Sequence, residues 1–219
     1  MRKLFFFAIL LAIFSACQKD DDSNQNDTTL KPDYFPMAIG NYWVYENVTI
    51  DSLGVTLSDK IDSVIITKDT LIDNETFYIF EQTRTLSNGT ILTGHKQFYR
   101  DSSGYIIDSS GAIFFSDENF TNTLQIEEFI TGSDTVYITT YKMEYVNEIV
   151  SVPAGDFEVL NFKGTVWVPD PNQGVPNPRY INDYFAPNVG KIFENTFFLS
   201  SNNYKIERRL LRYNVYLPE

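Results

Sequence analysis

Residues 134–146, DTVYITTYKMEYV, alternate between two sets of side chains with a period of two. Residues i and i+2 of a β-strand point to the same face of a sheet, so this pattern predicts a strand with two different faces. One face would carry Tyr137, Thr139, Tyr141, Met143 and Tyr145, and the other Val136, Ile138, Thr140, Lys142 and Glu144. No stretch after the first 16 residues sustains the 3.6-residue apolar period of a helix, so we expect an all-β fold.

A second stretch, FEVLNFKGTVWV (157–168), shows the same alternation. Its apolar face would hold Leu160, Phe162, Val166 and Val168, with Gly164 between them. The last long run, NYKIERRLLRYNVYL, changes phase, because Tyr204 and Ile206 are even-numbered while Leu211, Tyr213, Val215 and Leu217 are odd-numbered. This shift predicts a β-bulge within 208–211. Arg208, Arg209 and Arg212 suggest that this strand has one wet face or lies at a sheet edge.

Turn signals separate the strand-like runs. Asn88-Gly89 is the dipeptide most typical of a tight hairpin. DSSG occurs at 101–104 and at 108–111, and VPAG at 152–155, with Asp, Pro and Gly at the places that a type I turn favours. Strands therefore recur roughly every 8–14 residues, which predicts an antiparallel meander forming a barrel, a half-barrel or a sandwich. The proline-rich stretch 169–179 cannot join a ladder and is expected to be a surface loop.

The N-terminus has the layout of a secretory signal peptide over residues 1–16. Arg2 and Lys3 precede an apolar run from Leu4 to Phe14, which as a helix spans only about 16 Å and is too short to cross a bilayer of about 30 Å. Two small residues then precede Cys17, the only cysteine of the chain. This ending resembles a bacterial lipobox, with Phe14 where the usual pattern has Leu, and the resemblance implies that Cys17 is acylated and becomes the first residue of the mature protein.

The residues after Cys17 are acidic. Gln18, Lys19, Asp20, Asp21 and Asp22 resemble the export signal of surface-displayed lipoproteins of the Bacteroidota. The resemblance implies a lipid-anchored outer-membrane protein facing the cell surface, while the simpler interpretation is a solvated linker facing the periplasm. Either way, residues 17–33 are expected to be a lipidated, disordered tether, followed by a single β-rich domain over 34–219.

The net charge of −12 restricts the partners of the chain. Nucleic acid binding requires clustered Lys and Arg, so no nucleic acid partner is expected. Anionic lipid head groups would also be repelled, so membrane attachment is expected to come from the acyl chains on Cys17.

Three motifs in the body of the chain carry a family resemblance. YFPMAIGNYWVY (34–45), VPAGDFEVLNF (152–162) and FAPNVGKIFE (185–194) resemble recurring motifs of a broad group of uncharacterised Bacteroidota lipoproteins. The resemblance implies an all-β domain behind a lipid anchor and implies no activity. Independently of it, Trp43, Phe157 and Gly190 are expected to serve the scaffold, with Trp43 as a large core anchor.

The sequence offers no catalytic, cofactor or metal motif. His95 is the only histidine and is interpreted as a surface residue, and there is neither a phosphate-binding glycine loop nor a nucleophile elbow. DENFTN (117–122) could offer oxygens to calcium, but it lacks the order of a calcium loop and is interpreted as a solvated turn. No cofactor is therefore predicted, and a pair of acidic residues suited to glycoside hydrolysis stays open, because such a pair depends on the fold.

A recurring triplet of Asp, Ser or Thr, and an aliphatic residue or Thr resembles the O-glycosylation site of exported Bacteroidota proteins. Its acceptors would be Thr28, Ser52, Ser63, Thr70 and Thr135. The same triplets also arise where a turn Asp meets a strand, so both interpretations stay open.

Three functions remain. The first is a non-enzymatic binding or envelope-interaction module with a glycan, lipid or envelope-protein ligand. The second is a half-barrel carrier whose apolar cavity holds a lipid or another apolar ligand. The third is a hydrolase that uses two carboxylates.

Overall fold

The computed structural model describes residues 31–169, 177–199 and 204–217, with the exception of the side chains of Asp59 and Phe197. The signal peptide, Cys17, the residues 18–22 and Thr28 lie outside the described residues. Within the described part, the chain forms strands and no helix. The strands are β1 (Tyr42–Asp51), β2 (Gly54–Ile72), β3 (Glu75–Thr85), β4 (Ile91–Asp101), β5 (Tyr105–Asp108), β6 (Ile113–Ser116), β7 (Gln125–Thr131), β8 (Asp134–Tyr145), β9 (Val150–Val152), β10 (Gly155–Phe157), β11 (Leu160–Trp167), β12 (Arg179–Ala186), β13 (Gly190–Phe197) and β14 (Lys205–Asn214).

Twelve of these strands form one antiparallel, barrel-shaped and nearly closed sheet. Their order is β6-β5-β4-β3-β2-β1-β14-β13-β12-β11-β8-β7, and β9 and β10 form a separate hairpin. Most neighbours in the sheet are also neighbours in sequence, and the main exception is β14, which returns to pair with β1. The predicted antiparallel meander is confirmed, in its barrel form.

The predicted alternation of β8 and β11 is confirmed. Thr139 and Met143 on the odd face of β8 are buried, as are Leu160, Phe162 and Val166 on β11. Phe162 lies opposite Met143 in the register of the two strands, so the buried residues of β8 and β11 share one face of the sheet, which is the inner face of the barrel.

Gly164 of β11 is required by close packing. A Cβ atom there would lie 2.8 Å from the ring of Tyr141, which stacks on Phe162 with ring centroids 5.0 Å apart. A larger residue would therefore displace this ring pair.

The predicted turns lie where they were expected, but the first DSSG turn is not of type I. Its central residues are Ser103 and Gly104, with φ of +56° and +81° between the hydrogen-bonded Ser102 and Tyr105, which makes it a type I′ turn. Gly89 has a φ of +81° between β3 and β4, where the Asn88 side chain accepts a hydrogen bond from the Thr90 N–H at 2.9 Å. The two DSSG turns connect β4 to β5 and β5 to β6, and VPAG connects β9 to β10.

The predicted bulge of β14 is confirmed, and of the two alternatives for its arginines, one wet face or a sheet edge, the sheet edge is wrong. Val44 of β1 pairs with Arg212 and Tyr45 pairs with Leu210, which leaves Leu211 as the extra residue. β14 lies in the middle of the sheet, between β1 and β13. Arg208 points inward and is only 9% exposed, and it pairs there with Glu194 of β13 and Asp62 of β2.

The segment before β1 packs against the end of the sheet where β1 begins. Asp33 exchanges two hydrogen bonds with Asn188, and the Phe35 ring contacts the ring of Phe185 at 5.8 Å. Asn41, which is fully buried, accepts a hydrogen bond from the Tyr216 N–H at 2.7 Å. Residues before the first strand and after the last strand are thus held to the same end of the barrel.

Candidate ligand site in the barrel interior

A cavity of about 170 Å³ lies inside the barrel. Its wall combines aromatic rings with charged and amide side chains from both halves of the sheet. The lining residues are Phe35, Pro36, Trp43, Tyr45, Val64, Phe80, Gln82, Gln97, Tyr99, Phe114, Phe185, Gly190, Lys191, Glu194 and Arg208.

The aromatic part of the wall is a connected group of rings. Phe80 lies parallel to Trp43, with centroids 6.1 Å apart, and meets the edge of Tyr99 at 5.2 Å. Phe35 contacts both Phe80 and Tyr99, at 5.6 and 5.4 Å. These rings belong to four separate segments of the chain, so the wall exists only in the folded sheet.

Six charged residues on β2, β3, β12, β13 and β14 are linked by ion pairs into one group, which we call the charged belt. Its members are Asp62, Arg84, Asp183, Lys191, Glu194 and Arg208. Glu194 of β13 lies directly between Asp183 of β12 and Arg208 of β14 in the cross-strand register. The belt contains three cations and three anions, so it is neutral as a whole when all its members are ionised.

The Lys191 ammonium lies between two carboxylates, those of Asp183 on β12 and Glu194 on β13. The Lys191 ammonium lies 2.8 Å from Asp183 and 3.1 Å from Glu194. Residues i and i+3 of a regular strand point to opposite faces, but the register shifts between Tyr184 and Phe185 and leaves Ile192 as an extra residue. This bulge places Lys191 and Glu194 on the same inner face.

Asp62 is fully buried and accepts two hydrogen bonds from Arg84, at 2.6 and 2.8 Å. The Arg208 Nε lies 3.4 Å from the same carboxylate. Burial favours the neutral acid, but the hydrogen bonds from Arg84 and the charge of Arg208 outweigh it and lower the pKa of Asp62. Asp62 is therefore a charged, fully paired member of the belt.

The two carboxylates around Lys191 have pKa values shifted in opposite directions. Burial raises the pKa of Asp183, and the neighbouring Glu194 raises it further, against the effect of Lys191. Burial also disfavours ionisation of Glu194, but Lys191 and Arg208 outweigh it and lower the pKa of Glu194 to about 2. Within this pair, Glu194 is thus the residue that carries the negative charge most firmly.

Three polar side chains on the β3–β4 side of the cavity have no partner among the described residues. Tyr99 is only 6% exposed, and its hydroxyl makes no hydrogen bond there. The amides of Gln82 and Gln97 likewise lack a hydrogen-bonding partner in that part of the chain, although both line the cavity. Gln82 and Gln97 are half-buried and Tyr99 is buried, so an occupant of the cavity could take the place of water at these groups.

The cations of the belt already cover aromatic rings. The Arg208 guanidinium lies 4.0 Å from the centroid of Tyr45, and the Lys191 ammonium 5.5 Å from that of Phe185. The Tyr45 hydroxyl donates a hydrogen bond to the Lys191 carbonyl at 2.9 Å. Tyr45 is thus held on both sides by the belt.

The structure also locates the other residues that the sequence singled out. His95 lies on β4 opposite Gln82 and is exposed at a shallow depression next to the cavity. Within the DENFTN turn, the Asn119 side chain donates a hydrogen bond to the Tyr105 hydroxyl at 3.1 Å. In the described part of the chain, no three His, Cys, Asp or Glu residues are grouped as metal ligands would be.

The predicted glycosylation acceptors are spread over the molecule. Ser52 is exposed at the β1–β2 turn, whereas Thr70 and Thr135 lie half-buried in β2 and β8. Ser63 lies within β2, and its hydroxyl is 2.5 Å from that of Thr83 on β3. Modification at these positions stays a prediction.

The sequence analysis did not predict the charged belt or the inward-facing Gln82, Gln97 and Tyr99. Alternation shows that Gln82 lies on the same face as the apolar Phe80, and that signal could have marked an inward amide. No comparable local signal links Asp62 to Arg208, which lie 146 residues apart in the chain.

The described residues include no helix that is long and apolar enough to span a membrane.

Comparison with known proteins shows the fold. No family model and no curated protein matches the chain. A solved candidate lipoprotein from Parabacteroides distasonis is similar with a TM-score of 0.53 and 14% sequence identity, over 84% of this chain and 99% of that one. A candidate exported protein with a YmcC-like fold from Bacteroides fragilis is similar with a TM-score of 0.52 and 15% identity, over 84% of this chain and 100% of that one. At these identities, the likeness to both neighbours shows a shared fold.

Proposed function

We propose that this protein is a non-enzymatic outer-membrane lipoprotein that binds a small ligand inside its barrel. Acyl chains on Cys17 would hold it to the membrane, with the domain facing the cell surface. The observation that carries the binding role is the cavity wall, where Gln82, Gln97 and Tyr99 lack partners among the described residues and lie beside a group of aromatic rings. Convergent polar groups in an otherwise apolar pocket are typical of small-molecule sites.

The chemistry of the wall favours a polar ligand over a lipid. A carrier of acyl chains needs a continuous apolar cavity, but Lys191, Glu194 and Arg208 lie on one side of this one. Packing a hydrocarbon chain against them would remove water from ionised groups without replacing its hydrogen bonds, which is unfavourable.

The belt also supports a binding role over hydrolysis. A glycosidase needs two carboxyl groups that both face the substrate. Here Glu194 lines the cavity and Asp183 does not, and both are bound to the same Lys191 ammonium. The two acids thus have the geometry of an internal ion cluster.

The anchor is tested on the native protein. Mass spectrometry of the N-terminus should find an acylated cysteine at position 17 and no leader. An unmodified Cys17 with the leader attached would refute the anchor. Proteinase treatment of intact cells should digest the domain, and complete resistance would refute surface display.

The binding role is tested with the full mature chain and Trp43 as an intrinsic reporter. Trp43 lines the cavity, and the second tryptophan, Trp167, is 50% exposed and can be replaced by Phe. In Trp167→Phe protein, phenol, neutral monosaccharides, amino acids and fatty acids would be titrated while the Trp43 emission is followed. At least one compound should change this emission and raise the melting temperature.

A blocking variant and a matched control make this test specific. Val64 lines the cavity, whereas the next residue, Ile65, is 41% exposed on the other face of β2. Val64→Phe should abolish binding, and Ile65→Phe should preserve it. The proposal fails if nothing binds, or if the only ligands are fatty acids whose binding is unchanged by Val64→Phe.

A further inference from the structure

We infer that the ligand of this cavity is a neutral sugar ring of monosaccharide size, bound through Gln82, Gln97 and Tyr99. The inference rests on the proposed binding function and specifies the chemical class of the ligand.

The size of the cavity restricts the ligand to one ring. Its volume is about 170 Å³. A protein cavity of about 150 Å³ is known to admit benzene, so a single six-membered ring is of the right order of size. An oligosaccharide could place at most one of its residues here.

The charge of the wall favours a neutral ligand. Lys191 and Arg208 form ion pairs with Glu194, and Asp62 forms ion pairs with two arginines, so each of these charges has an opposite charge beside it. The buried Nε and Nη2 of Arg208 make no hydrogen bond within the described part of the chain, and a hydroxyl oxygen of the ligand could accept one from Nη2. A cationic ligand would lie close to the positive charges of Lys191 and Arg208, which already cover the rings of Phe185 and Tyr45. An anionic ligand would lie next to Glu194 and would disrupt a neutral cluster.

The unpaired groups favour a ligand with several hydroxyls. Each glutamine amide offers a carbonyl acceptor and two N–H donors, and the Tyr99 hydroxyl both donates and accepts. Neighbouring hydroxyls of a sugar can meet both functions of one amide, because each hydroxyl also donates and accepts. A ring without hydroxyls would leave all three side chains unsatisfied and would bind more weakly.

The position of Phe80 supports the same ligand. Phe80 lies directly opposite Gln97 in the β3–β4 register and on the same face as Gln82, two residues along β3. Its ring is parallel to that of Trp43 within 15°. The apolar C–H face of a sugar ring could pack on these aromatics while its hydroxyl edge reaches the two amides.

The experiment compares affinity with stability in the full mature chain. The probes are neutral monosaccharides (glucose, galactose, mannose and N-acetylglucosamine), glucuronic acid, glucosamine and phenol. The variants are Tyr99→Phe, Gln82→Leu and Gln97→Leu, each of which removes hydrogen-bonding atoms with little change in volume. Gln125→Leu is the matched control, because the Gln125 amide is bound to Glu127 outside the cavity.

We expect at least one neutral monosaccharide to bind more tightly than glucuronic acid, glucosamine and phenol. Loss of a neutral hydrogen bond should weaken sugar binding about 3- to 10-fold in Tyr99→Phe, and at least as much in each glutamine variant. Melting temperatures of these three variants should stay unchanged or rise, because the removed groups have no partner among the described residues. The control should change neither sugar affinity nor the preference for neutral sugars.

The outcomes separate the two proposals. Binding of phenol or a charged sugar that Val64→Phe abolishes, without binding of any neutral sugar, would overturn the sugar assignment and leave the proposed function standing. Sugar binding unaffected by all three variants would likewise overturn the assignment. If no probe binds, both proposals fail.

Discussion

The indole Nε1 of Trp43 donates a hydrogen bond of 2.6 Å to the carbonyl of Val189. Both residues are buried, Trp43 on β1 and Val189 in the turn between β12 and β13. The two residues are 146 positions apart in the chain, and each belongs to one of the three motifs that resemble those of Bacteroidota lipoproteins. The contact therefore joins the start of the barrel to its last third and forms part of the cavity wall.

We predict that Trp43→Phe destabilises the domain. The variant removes the hydrogen bond, leaves the Val189 carbonyl without its partner and opens space beside Phe80, which together should cost about 2–4 kcal/mol of the free energy of unfolding. Urea denaturation would measure this loss. The control is Trp167→Phe, which should change stability by at most about 0.5 kcal/mol because Trp167 is half-exposed. Equal effects of the two changes would contradict the role of Trp43.

Gly190, next to this contact, should lose stability on substitution because of its backbone conformation. Its φ is +94°, and an added Cβ would lie 3.4 Å from both Pro36 and the Trp43 nitrogen. Gly111 has a similar φ of +88° but open space around it. Gly111→Ala should therefore report the backbone strain alone, about 1–2 kcal/mol. The added Cβ of Gly190→Ala would meet its neighbours at ordinary van der Waals distances, so this variant should lose a similar amount of free energy of unfolding. A clearly larger loss in denaturation would show that Pro36 and Trp43 cannot accommodate the methyl group.

The strands and turns could be predicted from the sequence because their signals are local. Alternation identified the buried faces of β8 and β11, and a phase change in the apolar pattern marked the bulge at Leu211. The bulge at Ile192 carries no such mark, because Ile192 and Phe193 are both apolar and the charged residues on either side look like ordinary surface positions. The candidate site depends on this hidden bulge and on the pairing of β14 with β1, so its charged members could not be brought together from the sequence.

The charged belt predicts strong coupling between Arg208 and Glu194. Arg208→Met leaves Glu194 and the buried Asp62 with one cation fewer, and should lower the free energy of unfolding by about 3 kcal/mol or more. Glu194→Gln should also destabilise, but the double variant should lose less than the sum of the two, with a coupling of about 1–3 kcal/mol. A double-mutant cycle from urea denaturation measures this coupling. Strict additivity would contradict the pairing.

The two carboxylates beside Lys191 should have opposite effects on stability in acid. The pKa of Glu194 is lowered from 4.5 to about 2, so its contribution is fully present above about pH 4.5 and is lost as the pH falls towards 2. The pKa of Asp183 is raised above 3.8, so the folded state holds the proton of this carboxyl group more tightly than the unfolded state does. The contribution of Asp183 to the free energy of unfolding therefore falls as the pH rises from about 3.8 through the pKa of the folded state.

The free-energy gap between the wild type and Glu194→Gln should therefore narrow as the pH falls below about 4.5. Relative to the wild type, Asp183→Asn should gain stability as the pH rises through the range in which Asp183 ionises. Urea denaturation of the three proteins between about pH 2 and pH 7 checks both trends, and parallel curves for the two variants would show that their environments do not differ in this way.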